Sequence, residues 1–293
     1  MCVITPDYYQ NFKCIADSCK HSCCIGWEID IDNSSLERYN NLNCDFAHTL
    51  KSNIEFSDTP HFKLDKDERC PFLNQQGLCD IITNLGEDML CQICSDHPRF
   101  RNFYNEYEEI GLGLCCEAAA NLILSKKDKT NLNLPIEALQ IPIINYRQNL
   151  FIVLQDDTFS IEERVDNILY MINAQLPDCT DWYNVFNKLE KLDSVWDDYL
   201  LRIQNGIAPS VSDTSLDYAY EQLLVYLIFR HFLDGQYDGK FKERVLFAVL
   251  IYKIIRAMNT SNTLQELLEI ARLYSSEIEY SDENINQILS TLS

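Results

Sequence analysis

The stretch Cys14-Ile15-Ala16-Asp17-Ser18-Cys19-Lys20-His21-Ser22-Cys23-Cys24 puts four thiols within eleven residues. Cys70 and Cys79, Cys91 and Cys94, and the adjacent Cys115-Cys116 answer it further along. Twelve of the thirteen cysteines thus fall in the first 116 residues, and only Cys179 lies beyond them. Such density marks a scaffold built on sulfur, held by disulfides, by a metal, or by neither if the thiols are simply buried. Residues Met1–Tyr8 carry no basic stretch followed by an apolar run, so the expected setting is a reducing cytoplasm, where clustered cysteines bind metal or do redox chemistry. Neighbours such as Cys23 and Cys24 seldom bridge each other, which also suits a metal site.

Spacing leaves zinc and iron both open. Structural zinc modules favour two matched short pairs, often with histidine, and only Cys91-x2-Cys94 has that form here. The remainder runs Cys-x4-Cys-x3-Cys-Cys and Cys-x8-Cys, with five histidines in the whole chain. An iron–sulfur cluster accepts four thiolates from dispersed positions, so the pattern tilts toward iron.

Outward from the cysteines, Gly26–Asp32 alternates apolar and acidic residues and predicts a short half-buried strand. A helix follows, capped by Asn33 or Ser34, with Leu36, Tyr39 and Leu42 on one face. His61–Leu64 is a possible strand, and Gln76-Gly77 turns the chain so that Cys79 comes back toward Cys70. Ile81 to Cys94 reads as helix interrupted near Gly86, and Pro98 stops it just before Arg99. Arg99 presents a planar fork suited to a carboxylate or phosphate, or to pairing with a surface acid. Glu117 to Leu124 reads as a helix, and Gly111-x-Gly113 lacks the third glycine and preceding strand of a dinucleotide fingerprint.

The remainder reads as helical. Ser160-Ile161-Glu162-Glu163 is a capping box ahead of Val165, Ile168 and Ile172. Trp182 to Leu201 is expected as one amphipathic helix, and Gly206 to Ser212 as a loop. Leu223–Phe229 and Val245–Tyr252 are apolar but too short to span a bilayer, so a buried helix hairpin is expected. Helices around Leu264–Tyr274 and Asp282–Leu292, the latter capped by Ser281, close the chain. The fold class is therefore mainly α: a cysteine-rich, metal-binding N-terminal part with short strands over residues 1–125, then an all-helical part over 126–293.

The formal charge is −21, with 9 basic against 20 acidic residues in 1–125 and 15 against 25 in 126–293. Neither half offers the basic surface that nucleic acid or an anionic membrane requires, whereas a lysine-bearing protein is a better electrostatic match.

Phe12-Lys13-Cys14, Cys19, Cys23-Cys24-x2-Trp27, Cys70-Pro71-Phe72-Leu73, Leu78-Cys79, Leu85-Gly86, Cys94, Pro98-Arg99 and Leu112-x-Leu114-x-Cys116 together resemble the flagellin lysine-N-methylase family. The likeness continues in Tyr220–Tyr226 and Tyr274–Glu279. It implies a cytoplasmic protein-lysine methyltransferase that uses S-adenosylmethionine and a [4Fe-4S] cluster on flagellin. Its cysteines fall on Cys14, Cys19, Cys23, Cys24, Cys70, Cys79, Cys94 and Cys116, more than one cubane needs, and which four serve is left open. Cys2, Cys44, Cys91, Cys115 and Cys179 stand outside the pattern as ordinary thiols.

Two departures stand out: Glu117 follows Cys116 where proline is common, and Tyr280 stands where histidine is frequent. S-adenosylmethionine would lie against the cluster. Arg99 is the candidate for an anion contact with it, and Glu221 and Glu277 for lysine recognition or proton removal; the competing and favoured reading of each glutamate is a helix-surface charge. The competing expectation is a non-enzymatic zinc- or iron-binding protein that serves as a protein-interaction module.

Overall fold

A computed structural model describes residues 2–105, 107–177, 181–207 and 213–293. Cys179 and the 208–212 portion of the expected loop lie outside the described residues. The described chain is mainly helical. By its internal contacts it divides into two compact units: Lys13–Phe100, and the residues up to Phe12 together with Arg101–Ser293. The sequence reading had divided the chain at 125/126.

The chain opens with β1 (Cys2–Pro6), and then enters the Lys13–Phe100 unit, which begins with the cysteine loop. Gly26–Asp32 does not form the expected strand. It makes one isolated bridge, Asp30↔His61, and a second, Ile25↔Arg69, lies just before it; Ile31 N–H donates to Pro60 O at 2.7 Å and Phe62 N–H to Ile29 O at 3.1 Å. Gly26, at φ +89°, bounds the stretch at one end and the helix cap at Asp32 at the other. The alternation survives as burial, since Ile29 and Ile31 are buried while Glu28 and Asp30 face solvent.

Helix α1 (Asn33–Asn40) is capped by Asp32, one residue before the expected cap: its carboxylate accepts from Ser35 N–H at 2.9 Å. The same carboxylate accepts from Gln92 N–H at 2.8 Å. After α2 (Phe46–Ser52) come β2 (Ile54–Phe56) and β3 (Pro60–Phe62), an antiparallel pair in which Ile54 faces Phe62. Helix α3 (Asp80–Leu85) ends at Gly86, whose φ of +93° breaks the run as expected, and a 3-10 turn leads to α4 (Gln92–Asp96). Ile29, Ile31, Tyr39, Leu50, Ile54, Phe62, Phe72 and Ile81 form the core of this unit, and Cys70 and Cys91 belong to it.

In the other unit, which takes up β4 (Arg99–Phe103) from Arg101, this strand, β5 (Tyr107–Leu112) and β6 (Leu132–Asn133) join β1 in a sheet of order β4-β5-β1-β6. Strand β1 runs parallel to β5 and antiparallel to β6. Strand β1 is thus an inner strand, and β6 interrupts the part expected to be all helical. A strand in the middle of a sheet needs partners on both sides to satisfy its backbone groups, and β6 supplies the second.

Helices α5 (Glu117–Leu124), α6 (Pro142–Leu154) and α7 (Ile161–Ile172) follow, and the capping box at Ser160 is present. The expected single helix over Trp182–Leu201 is two, α8 (Trp182–Asn187) and α9 (Ser194–Leu201). The break is held by Glu277, which accepts from Leu192 N–H at 2.7 Å and Asp193 N–H at 2.8 Å. Helix α10 (Asp217–His231), the short α11 (Gly235–Asp238) and α12 (Phe241–Met258) form the expected buried hairpin. Helix α13 (Leu264–Tyr274) runs into a wide π turn at Ser275–Glu279, and α14 (Asp282–Thr291) ends the unit. Ser281 caps α14 by accepting from Asn284 N–H at 3.2 Å. Ser281→Ala is expected to cost about 1 kcal/mol, read as a lowered urea midpoint at unchanged slope.

Candidate functional site

Backbone pairing brings the cysteines of the Lys13–Phe100 unit together. Cys70 N–H donates to Cys24 O at 2.8 Å, which sets the end of the cysteine loop beside the Cys70 turn. That turn closes through the Leu73↔Cys79 bridge, with Gly77 at φ +76° supplying the left-handed position that a side chain resists. Cys79 then caps α3 and Cys91 caps α4, while Cys94 lies one turn into α4.

Five thiols consequently share one electrostatic neighbourhood. Cys24 acts on Cys70, Cys79 and Cys94, and Cys70 also acts on Cys94 and responds to Cys79 and Cys91. A hydrogen bond from the Cys23 thiol lowers Cys24 to about 7, against the opposing push of burial. Burial pushes Cys70 up to about 12 and also raises Cys79. In the hydrogen-bonded pair Cys91–Cys94, Cys91 is the thiol whose ionisation is favoured, and Cys94 keeps its proton.

Of the eight cysteines carried over by resemblance, the structure therefore groups Cys24, Cys70, Cys79 and Cys94, with Cys23 bonded to the first. Cys14 and Cys19 are held locally: Cys14 Sγ accepts from Ala16 N–H at 3.4 Å, and Cys19 Sγ donates to His21 O at 3.2 Å. Cys116 belongs to the other unit, where it caps α5. Cys91, set aside in the sequence as an ordinary thiol, is fully buried and part of the group. Its Cys91-x2-Cys94 spacing was the signal for it.

The donor set suits a soft metal, because thiolate ligation needs closely grouped thiols, and Cys24 and Cys91 are the two whose ionisation is favoured. Among the described residues no three His, Cys, Asp or Glu side chains are close enough to share one metal ion. A mononuclear site requires all its sulfurs about 2.3 Å from a single ion, whereas in a cluster the thiolates ligate several irons and stand further apart.

The other candidates are firmly engaged. Arg99 starts β4, half-buried, with Nη1 donating to Ser95 O at 3.4 Å. Glu221, on α10, is buried and ion-paired with Arg164; burial raises its pKa despite that partner. Glu277, in the π turn, is 2% exposed and holds the two N–H groups at the α8–α9 break, with burial again raising its pKa. Neither glutamate is a helix-surface charge.

A second polar centre was not foreseen. Glu279 is buried in the π turn and accepts from Tyr226 OH at 2.7 Å, Ser275 OH at 2.5 Å and His231 Nε2 at 3.0 Å, with Arg230 Nε at 3.4 Å. Burial pushes its carboxyl up, but the Arg230 guanidinium and the His231 hydrogen bond outweigh it and hold the pKa near about 2. Tyr280, standing where histidine is frequent, accepts from Cys115 Sγ at 3.3 Å and lies under Arg230. Tyr226, Ser275 and Glu279 lie in the stretches that carry the family likeness, but nothing in their spacing marks them as one centre.

Two units, one with grouped thiols and the other a helical assembly around a buried polar centre, define a cysteine-clustered helical protein. Residues 112–293 match the family model described as FliB lysine N-methylase C-terminal domain. That is more than half of the chain, which therefore belongs to the flagellin lysine-N-methylase family.

The chain is 28% identical over 135 residues to proteins named Lysine-N-methylase from Salmonella choleraesuis and Salmonella typhimurium, an alignment covering 43% of this chain and 33% of each relative. It is equally similar to the Flagellar biosynthetic protein FliU of Salmonella muenchen, covering 79% of that protein. The chain thus spans about a third of the length of the two lysine-N-methylases. No solved structure matches it. Among the described residues no helix is long and apolar enough to cross a membrane.

Proposed function

We propose that this chain is a cytoplasmic protein-lysine N-methyltransferase that transfers methyl from S-adenosylmethionine to lysine ε-amines of flagellin, and that it carries a [4Fe-4S] cluster. The observation that carries the reading is the match of residues 112–293 to a lysine N-methylase C-terminal domain, and the grouped thiols of the other unit support the cofactor. Four of the grouped thiols Cys24, Cys70, Cys79, Cys91 and Cys94 would hold the cluster, and Cys91 is the member of the hydrogen-bonded pair with Cys94 whose ionisation is favoured. When bound, the cluster would supply an electron-rich iron–sulfur centre.

The protein's own groups do the remainder. Methyl transfer needs a neutral amine placed in line with the sulfonium carbon. Arg99, with its planar fork, is suited to an anionic group of the methyl donor. Glu221 and Glu277, bonded to Arg164 and to two backbone N–H groups, act as positioning residues for α10 and for the α8–α9 break.

Metal and acid-labile sulfide analysis of anaerobically purified protein tests the cofactor. About four irons and four sulfides per chain are expected. Cys24→Ser and Cys70→Ser are expected to lose most of that iron, while Cys44→Ser, at an exposed site, keeps it. Zinc without sulfide would sink the cluster and leave the binding-module reading.

A further inference from the structure

Asn205 is the one asparagine of the chain that precedes a glycine, and the proposed activity makes no use of it. The pair follows α9 after a run of tight turns. Arg202 N–H donates to Tyr199 O at 3.1 Å, Ile203 N–H to Leu200 O at 3.0 Å and Gln204 N–H to Leu201 O at 3.2 Å. Ile203 anchors these turns in the core, whereas Asn205 and Gly206 are both exposed. Gly206 takes φ +99°, and a β-carbon placed there would meet no described atom beyond its chain neighbours within 4 Å.

The side-chain carbonyl carbon of an asparagine and the amide nitrogen of the next residue are linked through three carbon atoms. Attack of that nitrogen on that carbon closes a five-membered ring, and enforced proximity favours it. Closure needs backbone angles that glycine reaches at little cost, and a nitrogen that no neighbouring β-carbon crowds. Gly206 meets both needs. Its N–H donates to Ile203 O at 2.9 Å, so this bond must open before the nitrogen reacts. A single exposed turn beyond a helix end opens locally, without unfolding of the core.

We propose that Asn205 is a site of spontaneous covalent modification. The Gly206 nitrogen gives up its proton to hydroxide and forms a bond to Asn205 Cγ. The Cγ–Nδ2 bond breaks, and the amide nitrogen leaves as ammonia with a proton from water. Water then opens the resulting succinimide at either carbonyl, which yields aspartate or isoaspartate, the latter with the main chain routed through the β-carbon. Water is the only co-reactant. The product adds one negative charge to a chain already at −21, and the isoaspartyl form lengthens the main chain at the turn that ends α9. Asn173 provides the comparison within the molecule. It is exposed and left-handed, at φ +50°, but Ala174 follows it, and the alanine β-carbon shields the nitrogen.

The full chain, incubated near neutral pH and in mild base in water carrying a heavy oxygen isotope, tests this beside the peptide acetyl-Gln-Asn-Gly-Ile-Ala-amide. Peptide mapping by mass spectrometry, with aspartate and isoaspartate separated, reads the products. Conversion at Asn205 is expected, faster in base, slower than in the free peptide, and with heavy oxygen in both products, while Asn173 stays intact. Asn205→Gln, which would have to close a six-membered ring, is expected to slow conversion at least about tenfold. Asn205 unchanged after the peptide has fully reacted, aspartate without isoaspartate, or equal conversion at Asn173 would overturn the proposal. Because no methyl transfer is read, these results stand apart from the success or failure of the proposed activity.

Discussion

Glu279→Ala is expected to destabilise the chain by about 3–5 kcal/mol, the cost of leaving a buried cation without its counter-charge. Glu279 is the acceptor on which Tyr226, Ser275, His231 and Arg230 converge, and its side chain has no exposure to solvent. Removing it strands a guanidinium and an imidazole in the core between α10 and the π turn. Chemical denaturation followed by far-ultraviolet dichroism reads the loss, and a cost below 1 kcal/mol would contradict this role.

The same carboxyl sets a pH dependence. Its folded pKa, near about 2, lies below the ordinary glutamate value of 4.5, so the unfolded chain binds the proton more tightly. Its contribution is therefore complete above pH about 4.5 and is lost as pH falls toward about 2. Glu279→Gln keeps the shape but not the charge, and its stability is expected to lose that part of the acid dependence.

The second large effect is expected at Glu109 on β5 and Arg147 on α6. Both side chains have no exposure, and they meet through two hydrogen bonds, at 2.9 Å and 2.5 Å. Glu109→Ala alone is expected to cost about 3–5 kcal/mol, whereas the double replacement Glu109→Leu/Arg147→Met is expected to recover most of it, because both desolvation penalties vanish together. A double-mutant cycle on the denaturation midpoints measures the coupling. Additive single costs would show that the two residues act independently.

The helices were legible wherever a local signal coincided with a tertiary one. The Ser160 capping box, the glycine break at Gly86, and the apolar runs inside α10 and α12 combine a cap or breaker with burial, and each appears where expected. Trp182–Leu201 misled because its apolar spacing continues across a break that Glu277, some eighty residues later, stabilises. Leu192, at 71% exposed, fits the helical period but not the core. Strand β6 escaped because a two-residue pairing with β1 depends on a partner more than a hundred residues away.

At the site, the density of cysteines pointed to the Lys13–Phe100 unit, where the structure groups some of the cysteines that the family pattern selects and not others. Cys91 was set aside because it lies outside the family pattern, although its Cys-x2-Cys spacing puts it one helical turn from Cys94. Cys14 and Cys19, which do match the pattern, are held by local hydrogen bonds. Glu221 and Glu277 were weighed between catalysis and a surface charge. Both are buried and bonded, an outcome set by Arg164 and by the 192–193 backbone rather than by their own neighbours in sequence.

The most direct test of the account is methyl transfer itself. The full chain, purified anaerobically, is incubated with S-adenosylmethionine carrying an isotopically labelled methyl group and with flagellin, and the flagellin lysines are then mapped by mass spectrometry. The account expects labelled methyl on lysine ε-amines, abolished in Cys24→Ser. Protein that holds its cluster but leaves every flagellin lysine unlabelled would contradict it.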